Sequence, residues 1–299
     1  MTMQWRGVMP AMTTGLNEDL TIDHAFVAKH CQWLLDHGCT GIVAPGSLGE
    51  GNTMTFDERL QLWETLVRAA AGRAPVVAAI SALSTAESVA MAKAAKAKGC
   101  SGLMVLPPYV YQGDWREMKY HVAETFKATD LSCMLYNNPV AYGTDFLPEQ
   151  IAELAAEHPN FQAVKESSTD VRRVTAIKAL LGDRLDLFVG VDDAIVEGIA
   201  VGAVGWVAGL VNALPKESVA VFDLAMKGER EKALALYHWF LPLLRLDCVP
   251  KFVQLIKLTQ QEVGMGNARV RPPRLEIVGA ELEAALTTIR TALKTKPAL

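Results

Sequence analysis

The chain's chemistry centres on a lysine set in an apolar run. Lys165 follows Phe161-Gln162-Ala163-Val164, a buried-strand pattern, and precedes Glu166-Ser167-Ser168. Burial disfavours an ammonium and moves its pKa towards ~7. The neutral amine is a nucleophile that condenses with a ketone. The competing reading is a lysine neutralised by Glu166 or by another acid at the strand's edge. Tyr136 ends the preceding apolar run, in Tyr136-Asn137-Asn138-Pro139. It is either a proton relay to a carbinolamine or a plain rim tyrosine. Gly46-Ser47-Leu48-Gly49-Glu50 offers backbone N–H groups and the Ser47 hydroxyl, donors that suit a carboxylate or oxyanion. A Gly-rich turn with no ligand would read the same way. Tyr109 and Tyr111, in Pro107-Pro108-Tyr109-Val110-Tyr111, end another apolar run, and Gly190-Val191-Asp192-Asp193 ends a further one.

These residues need a frame that brings them together. Eight short apolar runs punctuate the first three quarters of the chain: GVMPAM, CTGIVAPG, APVVAAIS, GLMVLPP, SCMLYNN, FQAVKESS, LDLFVGVDD and AVGWVAG. Each is nearly continuous in apolar character, as strands buried on both faces are. An amphipathic stretch follows each one. Asp23 is placed to cap the first, the TFDER segment opens the second, and Gly99 stops the third. Strict alternation requires parallel strands and crossover helices. Eight repeats predict a (β/α)8 TIM barrel, whose chemistry sits at the C-terminal ends of the strands. An open doubly wound sheet usually carries GxGxxG after its first strand; here TTGLNEDL follows. Beyond Gly228 the alternation stops, and 230–246, 248–263 and 279–294 read as helices, with Pro250 at an early helical position. The expected division is a catalytic barrel over 1–226 and a C-terminal three-helix extension over 227–299.

Composition narrows the partners. The 299 residues are 51% apolar and 21% charged, with a net charge of −4. That is a core-rich chain without the basic footprint of a nucleic-acid binder. The five cysteines (Cys31, Cys39, Cys100, Cys133, Cys248) are scattered and form no CxxC pair, which predicts reduced thiols in the cytoplasm and no zinc site. The histidines form no HExxH pattern, so no metal is expected. The N-terminal MTMQWRGVMP lacks the apolar core of a leader. The uncharged stretch 198–215 is broken by glycines, Asn212 and Pro215, so it reads as a helix end, a turn and a buried strand rather than a membrane span.

Taken in order, GSLGE at 46–50, LPPY at 106–109, YNNP at 136–139, VKESS at 164–168, GVDD at 190–193 and GAVGW at 202–206 resemble the dihydrodipicolinate synthase/N-acetylneuraminate lyase family over nearly the whole chain. The resemblance implies a class I lyase. Lys165 would form the imine and Tyr136 would relay protons. Ser47 and the Ser47–Leu48 backbone would hold the carboxylate of a 2-oxo acid, with Val207 packed near the imine. It implies no metal or organic cofactor, because the lysine imine is itself the electron sink, and a homotetramer built as a dimer of dimers.

Three departures bear on the substrate. Leu48 stands where the synthase has the second hydroxyl of its GTTGE motif. Val110 stands where it has a tyrosine shared across subunits, although Tyr111 follows. Ala141 stands where it has a carboxylate-binding arginine. These argue against lysine biosynthesis, and the polar sugar-binding positions of the sialic acid lyase are not evident. LPPYVY, YNNPVAYGTD, KESSTDVRRVT, GVDD, GAVGWVAGLVNALP and LYHWFLPLLRLD together resemble the branch holding Δ1-pyrroline-4-hydroxy-2-carboxylate deaminase. That resemblance implies removal of water and ammonia from a cyclic imino acid to give 2,5-dioxopentanoate, in hydroxyproline degradation. Three alternatives stay open: a pyruvate-dependent aldolase or dehydratase of a 2-keto-3-deoxy sugar acid, an enzyme like 4-hydroxy-tetrahydrodipicolinate synthase, and a binding protein on an inactive barrel. Arg172, Arg173, Lys251 and Lys257 read first as helix-surface charges.

Overall fold

Each apolar run becomes a short strand buried on both faces. The computed structural model describes residues 3–109 and 111–298. The strands are β1 (Gly7–Pro10), β2 (Ile42–Ala44), β3 (Val76–Ile80), β4 (Gly102–Val105), β5 (Ser132–Asn137), β6 (Phe161–Glu166), β7 (Asp186–Val189) and β8 (Gly205–Ala208). They form one parallel sheet in the order β1-β8-β7-β6-β5-β4-β3-β2. β1 and β2 meet through a bridge between Ala11 and Val43, reinforced by the Met12 N–H donating to the Val43 carbonyl at 2.9 Å. The sheet thus closes into a (β/α)8 barrel. Asn212, just after β8, ties the β8–β1 joint. Its side-chain amide donates to the carbonyls of Ala11 and Gly209, both at 2.8 Å, and its oxygen accepts from the Thr13 N–H at 3.1 Å.

The surrounding helices start where local chemistry sets them. They are α1 (His24–Asp36), α2 (Phe56–Ala70), α3 (Thr85–Ala97), α4 (Trp115–Lys127), α5 (Pro139–Tyr142), α6 (Pro148–Glu157), α7 (Arg172–Leu181), α8 (Ile195–Ala200) and α9 (Pro215–Met226). Asp23 accepts from the Phe26 N–H, and Thr55–Glu58 and Asp114–Glu117 form reciprocal capping boxes. The one-turn α5 escaped the sequence pattern. It exists because Asn138 accepts from the Ala141 N–H, Pro139 fits the first turn, and Gly143 leaves it with φ +69°.

After α9 come α10 (Arg230–Leu244), α11 (Phe252–Glu262) and α12 (Gly279–Lys294). Two expectations need correction here. The helix expected over 230–246 ends at Leu244 and tightens into a 3-10 turn over Arg245–Asp247. The helix expected from 248 starts only at Phe252, leaving Pro250 outside it. α10 accommodates Pro242 in its last turn, and Pro250 disfavours helical backbone at Val249, so the segment between the two prolines does not continue as α-helix. The break turns Asp247 back towards the barrel. Leu243, Leu244, Val253 and Ile256 join the same apolar cluster as the barrel strands. Polar ties reinforce this. Arg271 donates to both oxygens of Glu58 and to the carbonyls of Leu20 and Thr53.

Candidate active site

Lys165 and Tyr136 are register partners on β6 and β5. Side chains alternate along a strand, so Lys165 and its neighbour Glu166 leave on opposite faces. Glu166 accepts from the Asn137 amide at 3.1 Å and from the Ser168 N–H at 2.6 Å, near Arg173. Arg173 is held in turn by a bidentate pair with Asp145, at 2.7 and 2.6 Å. The alternative in which Glu166 neutralises Lys165 is therefore wrong. Lys165 is buried, and its Nζ stands 4.1 Å from the centroid of the Tyr136 ring. Its path depends on Gly190, where a Cβ would lie 2.5 Å from Lys165 Cε and 1.9 Å from Ser167 Oγ.

Burial loosens the hold of Lys165 on its proton. Burial lowers the Lys165 pKa to about 8, and the carboxylates of Asp247 and Asp192 oppose that shift without reversing it. About a tenth of the amine is then neutral at pH 7, far more than for an exposed lysine. Asp192 is itself fully buried and accepts from Trp206 Nε1 at 3.0 Å, the Gly209 N–H at 3.0 Å and the Leu210 N–H at 2.7 Å. Burial raises its pKa to about 6 against those donors.

Tyr136 sits among hydroxyls. Its phenol oxygen accepts from the Asn138 amide at 2.9 Å, and burial pushes its pKa up. Tyr142, from α5, packs edge-on against the Tyr136 ring with centroids 5.8 Å apart, and its hydroxyl bonds that of Ser47. Burial, then the neighbouring Tyr136, hold the Tyr142 phenol well above its ordinary range. Ser47 and Tyr136 are thus linked through a residue the sequence reading passed over. Its only signal was its place at the end of YNNPVAY. Ser167, quoted in a motif but given no role, also lies here, with its buried hydroxyl unpartnered among the described residues.

The GSLGE segment forms a tight turn on the same face. Gly49 is required because a Cβ there would meet the Met12 carbonyl at 2.6 Å, and Glu50 adopts φ +58°. Among the described residues, neither the Ser47 nor the Leu48 N–H has a backbone acceptor. Leu48 is buried, so an apolar wall replaces a hydroxyl at that point. Val207 is buried in β8 beside Met9 of β1.

Other candidates fall elsewhere. Tyr111 is 58% exposed and lies by Glu117, so within one protomer it stands apart from Lys165. Ala141 is exposed on α5 and presents only a methyl group. Val110 lies outside the described residues. Arg172 pairs with Asp170 at the surface and Lys251 with Glu281, as surface charges would. Lys257 overturns the surface reading. It is buried, donating to Glu50 at 2.5 Å and to the Arg269 carbonyl at 2.6 Å. Among the described residues no group of three or more His, Cys, Asp or Glu side chains is placed to hold a metal ion. None of the described helices is long and apolar enough to cross a membrane.

Comparison with known proteins places this geometry. Residues 4–292 match the model of the dihydrodipicolinate synthetase family. The chain is 30% identical over 274 residues to a 4-hydroxy-tetrahydrodipicolinate synthase of Caldicellulosiruptor bescii, covering 91% of each chain. It is 32% identical over 229 residues to one of Shewanella piezotolerans, covering 77% of this chain and 78% of that one. A solved dihydrodipicolinate synthase from Bacillus anthracis superposes with a TM-score of 0.93 at 26% identity, over 100% of both chains. One from Acinetobacter baumannii, solved in complex with pyruvate, gives 0.90 at 26% identity, over 96% of this chain and 99% of that one.

Proposed function

The chain belongs to the dihydrodipicolinate synthetase family of lyases, and from that premise we propose that it forms a Schiff base between Lys165 and a small 2-oxo or cyclic imino acid. The observation that carries this reading is the Lys165 amine, buried, without a contacting counter-ion among the described residues, and set 4.1 Å from the Tyr136 ring. The chemistry needs a nucleophile free at neutral pH and a proton relay beside it. Ser47 and the Ser47 and Leu48 N–H groups are the donors for the substrate carboxylate, with Val207 against the imine. The imine on Lys165 serves as the electron sink, so the step calls on no other cofactor.

The substrate proposed is Δ1-pyrroline-4-hydroxy-2-carboxylate. Lys165 attacks C2 of the ring imine, the C2–N bond of the ring breaks, and an open-chain Schiff base carrying a C5 amine remains. The protonated imine acidifies C3–H. Tyr136 gives its phenol proton to the ring nitrogen as the C2–N bond breaks and then takes the C3 proton in its place, and the resulting enamine expels the 4-hydroxyl as water. Tautomerisation to a C5 imine and two hydrolyses then release ammonia and 2,5-dioxopentanoate. Leu48 and Ala141 support this choice, since neither supplies the polar or cationic group a second carboxylate would require.

A second reading is favoured by the relatives, which are named for 4-hydroxy-tetrahydrodipicolinate synthesis. In it, the same imine, formed with pyruvate, attacks an aldehyde. One pair of assays decides. Ammonia release from Δ1-pyrroline-4-hydroxy-2-carboxylate, with a borohydride-trapped adduct on Lys165, supports the deaminase. Pyruvate consumption with aspartate semialdehyde and no ammonia release overturns it in favour of the synthase. Absence of any adduct overturns the Schiff base itself. The family resemblance further supports a homotetramer, which sedimentation of the purified protein tests.

A further inference from the structure

Two carboxylates crowd the turn after β8, and only one of them has its bonds filled. Asp192 is spoken for by Trp206 and the Gly209 and Leu210 N–H groups. Asp247 reaches the same spot from the far side, out of the 3-10 turn that follows α10. Its carboxylate lies directly on Gly209, where a Cβ would come within 2.0 Å of Oδ1 and 2.6 Å of Oδ2. Glycine at 209 is thus what admits the carboxylate. Asp247 Oδ1 is buried and has no hydrogen-bond partner among the described residues. An unmet buried acceptor costs about 1–3 kcal/mol, so it persists where something else uses it. Its surroundings say what that is. Asp247 lies within electrostatic reach of Lys165 and Tyr136, the two groups proposed to handle the imine.

We propose that Asp247 contacts the distal end of the bound substrate and donates the proton with which the 4-hydroxyl departs as water. This rests on the dehydrating reading above. The C3 proton goes to Tyr136, the enamine electrons form the C3–C4 double bond, the C4–O bond breaks, and the leaving oxygen takes the Asp247 proton. The residue is left as carboxylate and is reprotonated from solvent before the next turnover. Burial supports the role, because it holds the Asp247 carboxyl protonated well above the ordinary carboxylate range. The geometry also assigns the C-terminal extension a part in catalysis, since Asp247 comes from there and not from a barrel strand.

A leaving group that departs without protonation tests this. Δ1-Pyrroline-4-fluoro-2-carboxylate loses fluoride in the same elimination. The tests compare wild-type protein and Asp247→Asn on both substrates, with borohydride trapping of pyruvate as a check on the fold and on Lys165. The expected result is a fall of ~10²-fold or more on the hydroxy substrate, the scale of a lost general acid, and of less than ~3-fold on the fluoro substrate, with trapping retained. Equal losses on both substrates, or no loss on either, overturn the proposal and leave the deaminase reading standing. Wild-type protein that traps pyruvate but releases ammonia from neither substrate overturns both.

Discussion

The chain buries two lysines, and they lead opposite lives. Lys165 is 5% exposed and Lys257 1% exposed, and burial pulls both pKa values down. Lys257 meets its counter-ion directly, with Glu50 at 2.5 Å and the Arg269 carbonyl at 2.6 Å. Lys165 meets an aromatic face, while its carboxylates act from beyond contact. A contacting carboxylate keeps an ammonium in place. Charges held at a distance leave an amine that can lose its proton and attack. Burial alone does not make a lysine reactive; the position of its counter-charge decides.

Substitutions can break or sharpen that contrast. The largest effect is expected for Lys165→Ala, which should abolish the borohydride adduct and lower turnover by more than ~10³-fold while leaving a cooperative melt. An adduct that persists in mass spectra would move the nucleophile elsewhere. Next comes Lys257→Met, which strands the buried Glu50 charge and should cost about 3–5 kcal/mol of stability. Adding Glu50→Gln should recover much of that in denaturant titrations. A single variant as stable as wild type would erase the distinction between the two lysines. Tyr142→Phe should cost turnover about 10-fold with trapping intact, because it cuts the hydroxyl path between Ser47 and Tyr136 without touching the nucleophile.

The smallest effect lies in the pH profile. With the Lys165 pKa lowered to about 8, kcat/KM should rise with pH and level off near that value, well below the ordinary lysine range. The stability contribution has its own sign. Between about 8 and the unfolded value near 10.4, the unfolded lysine holds a proton that the folded one lacks, so this contribution rises with pH. A kinetic limb that stays above pH 10 would overturn the lowered Lys165 pKa.

Much of this was legible in the sequence because its signals were local. Continuous apolar runs, alternation and Gly-rich strand ends are read within a few residues, and Lys165 stood out against its own strand. Tyr142, Asp247 and Lys257 were not legible in that way. Tyr142 works only because a one-turn helix folds it back over Tyr136. Asp247 reads as the last turn of a helix, whereas the chain there tightens into a 3-10 turn. Lys257 did leave a trace, since it shares a helical face with Val253 and Gln260, both buried. Its partner Glu50 lies about 200 residues away, beyond any local pattern.

The seam of the barrel sets a distant contact against near ones. From β2 to β8, each strand pairs with its neighbour in the chain, so these contacts close modest loops. β1 is different. Gly7 pairs with Gly205, and Asn212 must find Ala11 and Thr13 across about 200 residues. Among the strand pairings of the barrel, this closure spans the longest loop. Lys165 and Tyr136 are brought side by side by the β5–β6 pairing, a contact between neighbours in the chain. The wall around them is complete only once the two ends of the barrel meet, so the pair depends on a local contact and its enclosure on a distant one.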